Sequence, residues 1–201
     1  MTHRDNKNRL KSEKETDYTE NRITTLCYDE AGNLVSKVVE NLQGELMYSY
    51  DYEIGEDGVI QLSKYISVDG DETTYYDGNM RITEKCIRNQ EGEVISEYTY
   101  DYYENGKKKQ EIYTTSEGVV TTTCYNESGK YISITTVDTS TGEGNIIEYE
   151  YHENGKTKKI TKKNLEGEIY DVKEYDEDGC WIIDNNGTGN QNGNEIIDFD
   201  W

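Results

Sequence analysis

Apolar and polar positions alternate along most of this chain. In Tyr48-Ser-Tyr50-Asp-Tyr52-Glu and in Tyr98-Thr-Tyr100-Asp-Tyr102, large side chains fall on every second residue, with acids and hydroxyls between. A period of two marks a half-buried strand. Leu46, Tyr48, Tyr50 and Tyr52 then share one face, as do Val94, Tyr98, Tyr100 and Tyr102, and also Ile147, Tyr149 and Tyr151. The partner face carries Glu45, Ser49, Asp51 and Glu53, or Glu97, Thr99 and Asp101, and is expected to be largely wet. Turn residues interrupt the alternation about every 12 residues, the spacing of antiparallel β structure.

The alternation is itself periodic. Tyr28, Tyr52, Tyr76, Tyr102, Tyr125, Tyr151 and Tyr175 are separated by steps of 24, 24, 26, 23, 26 and 24. A glycine follows many of them at a fixed distance: Gly32, Gly106, Gly129, Gly155 and Gly179. A second glycine lies further on: Gly44, Gly92, Gly118 and Gly167. Three of these second turns share a phrase, Asn41-Leu-Gln-Gly44-Glu45, Asn89-Gln-Glu-Gly92-Glu93 and Asn164-Leu-Glu-Gly167-Glu168. Each unit therefore reads as two strands and two tight turns, with Asp or Asn opening a turn and Gly supplying positive φ. Six units and the start of a seventh predict an all-β fold of antiparallel β-hairpin repeats, with roughly 13 strands. An open sheet of that length is expected to twist or spiral.

Composition changes this picture in one respect. Leu, Ile, Val and Phe make up 36 of 201 residues, a proportion that with high net charge ordinarily means disorder. Here 19 tyrosines stand in for the missing aliphatics, proline is absent, and there is one alanine, Ala31. That composition favours strands and disfavours helices.

Charge is the second departure. There are 42 acids against 21 Lys and Arg, a net charge of −21. Such a chain is repelled by nucleic-acid phosphates and anionic membranes, so neither is an expected direct partner. The two signs also segregate by strand. Lys156, Lys158, Lys159, Lys162 and Lys163, and Lys107 to Lys109, follow first turns, while acidic stretches follow second turns. Adjacent antiparallel strands would then pair opposite charges.

The phrase Tyr28-Asp29-Glu-Ala-Gly32-Asn33-Leu34 resembles the YD repeat of the RHS family, whose unit runs Tyr-x-Tyr-Asp-x-x-Gly-Arg-Leu. Related phrases are Tyr48-Ser-Tyr50-Asp51, Tyr98-Thr-Tyr100-Asp101, Tyr149-Glu-Tyr151-His152-Glu-Asn-Gly155 and Tyr175-Asp176-Glu-Asp-Gly179. The resemblance covers about residues 22–183. It implies β-hairpin strips of the kind that spiral into toxin-enclosing shells or serve at cell surfaces. The family arginine after Gly is here Asn33, Lys107, Lys130, Lys156 or Cys180, and six units are too few to enclose a cargo. Tyr102-Tyr103-Glu104-Asn105-Gly106-Lys107 is also similar to MORN-variant repeats, a resemblance that implies an antitoxin-like role.

The ends differ from the middle. Residues 1–20 show no repeat and are expected to be a polar, mobile or weakly helical lead; residues 21–183 hold the repeats. From Asp184 the chain becomes Asn- and Gly-rich, and residues 184–201 are expected to form a loop and capping strand, with Ile197, Phe199 and Trp201 on one face of a capping hairpin. In that loop Asp184, Asn186, Thr188, Gly189, Asn190, Asn192 and Glu195 match positions 1, 3, 5, 6, 7, 9 and 12 of an EF-hand-type loop. No cofactor is expected from the chain as a whole; the one candidate is Ca²⁺, with Asp184, Asn186, Thr188, Asn190 and Glu195 as ligands, and against it Thr188 replaces an acid or amide, Gln191 stands where an apolar residue is usual, and no helix enters the loop.

Catalytic signals are absent. Cys27, Cys86, Cys124 and Cys180 have no Cys-x-x-Cys spacing and read as free buried thiols. His3 lies in the lead, and His152 reads as a solvated imidazole at a turn edge. Gly-rich phosphate loops are missing. No stretch approaches 18 apolar residues, and Met1-Thr2-His3-Arg4-Asp5 leads into charge, so neither a membrane span nor an ordinary signal peptide is expected. That favours a cytoplasmic protein, with leaderless secretion still open.

The sequence thus points to a non-catalytic acidic repeat module that binds another protein, such as an immunity protein or inhibitor of a basic toxin or nuclease. Opposite charge would speed that association, and tyrosine buries contact area at low entropy cost. Two alternatives stand beside it: a structural or carbohydrate-binding YD-repeat segment, and a nucleic-acid mimic. Tyr50, Tyr100 and Tyr151 are the candidate residues on the tyrosine face. Glu45, Glu93 and Glu168 are the candidates along one sheet edge.

Overall fold

The computed structural model of the chain describes residues 1–7 and 9–182. Every helix or strand among them is a strand. In chain order these are β1 (Thr2–Arg4), β2 (Leu10–Asp17), β3 (Arg22–Tyr28), β4 (Leu34–Asn41), β5 (Leu46–Ile54), β6 (Ile60–Ser67), β7 (Gly70–Tyr76) and β8 (Ile82–Arg88). They continue as β9 (Val94–Tyr102), β10 (Lys108–Thr115), β11 (Val119–Tyr125), β12 (Tyr131–Asp138), β13 (Gly144–Tyr151), β14 (Thr157–Asn164), β15 (Ile169–Tyr175) and β16 (Trp181–Ile182). Strand order in the sheet is strand order in the chain, so the fold is an open antiparallel meander of hairpins. The chain divides into two compact units, Met1–Tyr100 and Asp101–Trp201.

The turns explain why the meander forms. In the turn after β3, Asp29 Oδ1 accepts the Asn33 N–H at 2.8 Å, while Asp29 N–H donates to the Asn33 carbonyl at 2.9 Å. Gly32 closes this turn with φ 94°, a value that costs glycine little. The phrase Asn-x-x-Gly-Glu is the same device with one addition. Asn41, Asn89 and Asn164 each accept the backbone N–H of Glu45, Glu93 and Glu168, and donate Nδ2 to that glutamate's carboxylate at 2.6, 3.0 and 2.9 Å.

The periodic tyrosines mark the far ends of alternate strands. Tyr28, Tyr76, Tyr102, Tyr125, Tyr151 and Tyr175 close β3, β7, β9, β11, β13 and β15. The pairing register shifts at Cys27/Tyr28, Tyr75/Tyr76, Cys124/Tyr125 and Glu150/Tyr151. An extra residue there forms a bulge, which increases local twist just before the chain turns.

Two expectations are corrected. Residues 1–20 do not stand outside the repeat: they supply β1 and β2, and the described strands number 16 rather than 13. The turn between β1 and β2 uses Asp5, whose Oδ1 accepts from Lys7 and Arg9 N–H at 2.9 and 2.8 Å. It escapes a search for glycine because the sequence has Asn8 at the glycine position.

The second correction concerns the core. Val39, 1% exposed between Thr24 and Tyr48, is the one fully buried apolar side chain among the described residues. The others buried are small hydroxyls: Ser49, Thr73, Thr74, Ser96, Thr123 and Thr161. Ser49 lies on the face expected to be wet. Thr73 and Thr74 are consecutive and so point to opposite faces, yet both are buried. This is a single layer in which the short buried side chains have long ones beside them on neighbouring strands of the same face, Tyr65 and Lys85 on the face of Thr74, Lys64 and Arg88 on that of Thr73. The capping hairpin expected at 184–201 lies outside the described residues.

Candidate functional site

Direct cross-strand partners share a face, so the registers sort residues into two surfaces. In the unit Met1–Tyr100, one rung runs Tyr52, Ser63, Thr74, Lys85, Tyr98 across β5 to β9. The rung behind it runs Glu53, Leu62, Tyr75, Glu84, Thr99 on the opposite face.

On the tyrosine face Tyr50 sits among Tyr48, Tyr52 and Tyr65, with ring centroids 6.0, 6.1 and 4.9 Å away. Burial, seconded by the neighbouring phenols of Tyr65 and Tyr48, raises the Tyr50 pKa. Lys37, Tyr48, Tyr50 and Tyr65 line a shallow hollow of about 160 Å³. Tyr100 lies parallel to Tyr98 at 6.2 Å. Lysines lie over the rings: Lys37 Nζ is 5.5 Å from the Tyr48 centroid and Lys85 Nζ 5.9 Å from that of Tyr98. In the unit Asp101–Trp201, Lys108 covers Tyr125 and Lys130 covers Tyr151, at 5.4 and 5.0 Å. Burial raises the Tyr149 and Tyr151 pKa values. The candidate Tyr151 is therefore roofed by a lysine, and Tyr50 and Tyr100 are half-buried parts of aromatic rows.

Glu45, Glu93 and Glu168 each follow a turn glycine, where their carboxylates accept from the turn asparagine. The repeated phrase that singled them out is a turn-closing device.

Sequence reading missed a second use of the turns. Four of the first turns reach the next one along. Arg9 Nη1 donates to the Glu30 carbonyl at 3.1 Å, Lys107 Nζ to that of Ser128 at 2.8 Å, Lys130 Nζ to that of Gly155, and Lys156 Nζ to that of Asp178 at 2.9 Å. Asn105 and Asn154 Nδ2 add bonds to the Glu127 and Glu177 carbonyls at 3.0 and 2.7 Å. Tyr103 OH donates to the Tyr125 carbonyl at 2.6 Å. His152 Nε2 holds the Tyr175 carbonyl at 2.8 Å in the same way, so it is a partly buried turn donor rather than a solvated imidazole. A carbonyl only accepts, so His152 carries its proton on Nε2.

The segregated charges pair as the sequence suggested. Lys159 meets Glu174 at 3.2 Å, Lys162 meets Asp171 at 3.2 Å, and Lys163 meets Glu148 at 2.6 Å. In the other unit Lys64 and Arg88 share Asp71, and Lys85 meets Glu72. Cys27, Cys86 and Cys124 are free, half-buried thiols, whereas Cys180 is exposed. Burial raises the Cys86 pKa, and no cluster of three His, Cys, Asp or Glu among the described residues is placed to hold a metal. The calcium-loop residues Asp184 to Glu195 lie outside the described residues.

No family model matches the sequence, and no curated protein matches it. Solved structures do. The pore form of a Photorhabdus luminescens Tc holotoxin is 15% identical with a TM-score of 0.48, over 87% of this chain and 9% of that one. A crystal structure of TcdB2-TccC3 is 16% identical with a TM-score of 0.47, over 84% of this chain and 10% of that one. The same assembly without its hypervariable C-terminal region is 14% identical, with a TM-score of 0.44, over 87% and 10%. The chain spans about a tenth of the length of each of these neighbours.

Proposed function

We propose that this chain is a non-catalytic, acidic β-hairpin repeat module that binds a basic protein, in the manner of an immunity protein or inhibitor. One observation carries the reading. The basic residues, outnumbered 42 to 21, are drawn into the module's own ion pairs and turn-to-turn bonds, as with Lys107, Lys130, Lys156, Lys159 and Lys163. Carboxylates such as Asp29, Asp77 and Glu45 close turns, but those bonds come from neutral N–H groups or from few cations and leave most of the negative excess uncompensated. It remains as a field that would steer a cationic partner and repel an anionic one.

The test is association with purified basic nucleases and toxins at low and high salt, with acidic proteins of similar size as controls. The expected result is association with a basic partner whose on-rate falls steeply as salt rises. Binding only to acidic or neutral proteins, or binding indifferent to salt, defeats the reading.

A second reading, a structural or carbohydrate-binding repeat segment, draws on the near-parallel ring pairs Tyr50/Tyr52 and Tyr98/Tyr100, which could stack sugar faces. Binding on a glycan array that is lost in Tyr50→Leu would favour it.

A further inference from the structure

We infer that the surface which receives the basic partner is the face opposite the tyrosine rows, centred on Tyr75 of β7; this rests on the proposed function above. The tyrosine face is already covered from within, because Lys37 and Lys85 lie over Tyr48 and Tyr98. A cationic partner would have to displace those lysines and would meet positive charge first. The opposite face is different. Tyr75 sits on an interior strand, flanked by Leu62 and Glu84 as direct partners on β6 and β8, and is nevertheless 42% exposed. Its neighbour Tyr76, by contrast, is half-buried and shares a 3.0 Å hydrogen bond with Ser63.

Carboxylates outnumber cations around Tyr75. Glu53 and Glu84 belong to the same rung, about 14 Å apart at three inter-strand spacings. Asp51 and Glu97 flank them one rung away. Asp51, Glu53 and Glu84 are not in any ion pair among the described residues, and all three are exposed. Lys64 and Arg88, the basic residues of this face on β6 and β8, both turn to Asp71.

The unit Asp101–Trp201 shows what neutralisation looks like. There Lys159 and Lys163 occupy the corresponding face of β14 and pair with Glu174 and Glu148. No lysine does this on the Glu53–Glu84 rung.

An exposed aromatic with apolar support, ringed by unpaired carboxylates, suits an extended basic segment of alternating lysine and aromatic residues. Its rings would lie on Tyr75 and Leu62, and its ammonium groups would reach Glu53 and Glu84. Tyrosine serves well at such a centre because it brings area with few rotatable bonds.

The test uses the whole chain and a fluorescein-labelled peptide of alternating lysine and tyrosine, read by anisotropy at low salt. A peptide of alternating glutamine and tyrosine is the control. Glu53→Gln with Glu84→Gln is expected to weaken binding by about tenfold or more, and Tyr75→Ala by a similar factor. Tyr50→Leu with Tyr100→Leu is expected to leave binding unchanged. Circular dichroism checks that every variant keeps its strand signal, and the double glutamine variant removes no ion pair of the fold. If the peptide binds and only the Tyr50 and Tyr100 variants lose it, this assignment is overturned while the proposed function stands. If the peptide fails to bind at all, or the uncharged control binds equally well, this assignment is overturned, while the proposed function stands or falls on salt-dependent association with the basic proteins.

Discussion

Met80 is the residue whose replacement tests the turn reasoning most cleanly. It holds the fourth position of the turn Asp77-Gly-Asn-Met80-Arg81, where most turns of the chain have glycine, and its φ is 61°. The turn is otherwise standard: Met80 N–H donates to the Asp77 carbonyl at 3.0 Å, and Asp77 N–H to that of Arg81 at 2.9 Å. A left-handed conformation costs an ordinary L-residue about 1–2 kcal/mol. Met80→Gly removes that cost. Against it stands the added freedom of glycine in the unfolded chain, about 0.4–1 kcal/mol. Met80 is 47% exposed, so little burial is forfeited. The net expectation is a gain of about 0.5–1 kcal/mol, equal to about 1–4 °C in a chain of this size. Gly92→Ala provides the mirror image. Gly92 has φ 82° and nothing within 4 Å of where a Cβ would stand, so its cost of about 1 kcal/mol is conformational alone. Because repeat arrays open locally, amide exchange is the sharper assay. Exchange at Asp77 should slow about two- to fivefold in Met80→Gly, while urea unfolding reports the global change. A destabilised Met80→Gly, or a neutral Gly92→Ala, would refute the claim that φ at this position governs the turns.

Two further outcomes follow from the turns. Lys130→Met removes both the bond to the Gly155 carbonyl and the cation over Tyr151, and should cost about 1–2 kcal/mol in urea unfolding, with Lys130→Arg retaining most of it. Carboxylates set the pH dependence. Hydrogen bonds from the Asn33 and Arg81 side chains, then from their backbone N–H groups, hold the pKa values of Asp29 and Asp77 below the ordinary 3.8. A depressed folded pKa gives stability that is present above the unfolded value and lost as pH falls through the folded one. Wild type should therefore lose stability relative to Asp29→Asn and Asp77→Asn as pH drops below about 4. Parallel melting curves for all three proteins across that range would contradict this.

Much of the fold was legible because its two signals are local. Alternation in Tyr98-Thr-Tyr100-Asp shows a strand without any knowledge of its partners, and Asn89-Gln-Glu-Gly92-Glu93 shows a turn that is completed within itself. What stayed hidden was relational. Lys107, Lys130 and Lys156 read as departures from an arginine motif or as charge for the sheet. Their ammonium groups instead reach carbonyls 21 to 25 residues away. His152 and Tyr103 occupy one turn position and do one job with different donors, an equivalence no residue-type pattern reveals. The first hairpin was missed for the opposite reason, since Asp5 and Arg9 keep the turn bonds without the glycine that advertises them.

The tyrosine rows and the acids between them, placed on opposite faces by the alternation, stay on opposite faces in the registers. In a single-layer sheet every side chain must find cover from its lateral neighbours, because no second layer supplies it. Tyrosine rings provide that cover on one face, and lysines lie over them. A lysine committed there cannot neutralise carboxylates on the reverse. In the unit Asp101–Trp201 the strand β14 is basic enough to serve both faces, with Lys162 facing Asp171 and Lys159 and Lys163 facing Glu174 and Glu148. The strand β8 has only Lys85 and Arg88, committed to Glu72 and Asp71, and so Glu84 and Glu53 stay bare around Tyr75. The aromatic rows therefore account for how the sheet holds together, and the uncompensated carboxylates behind them mark where it would meet something else.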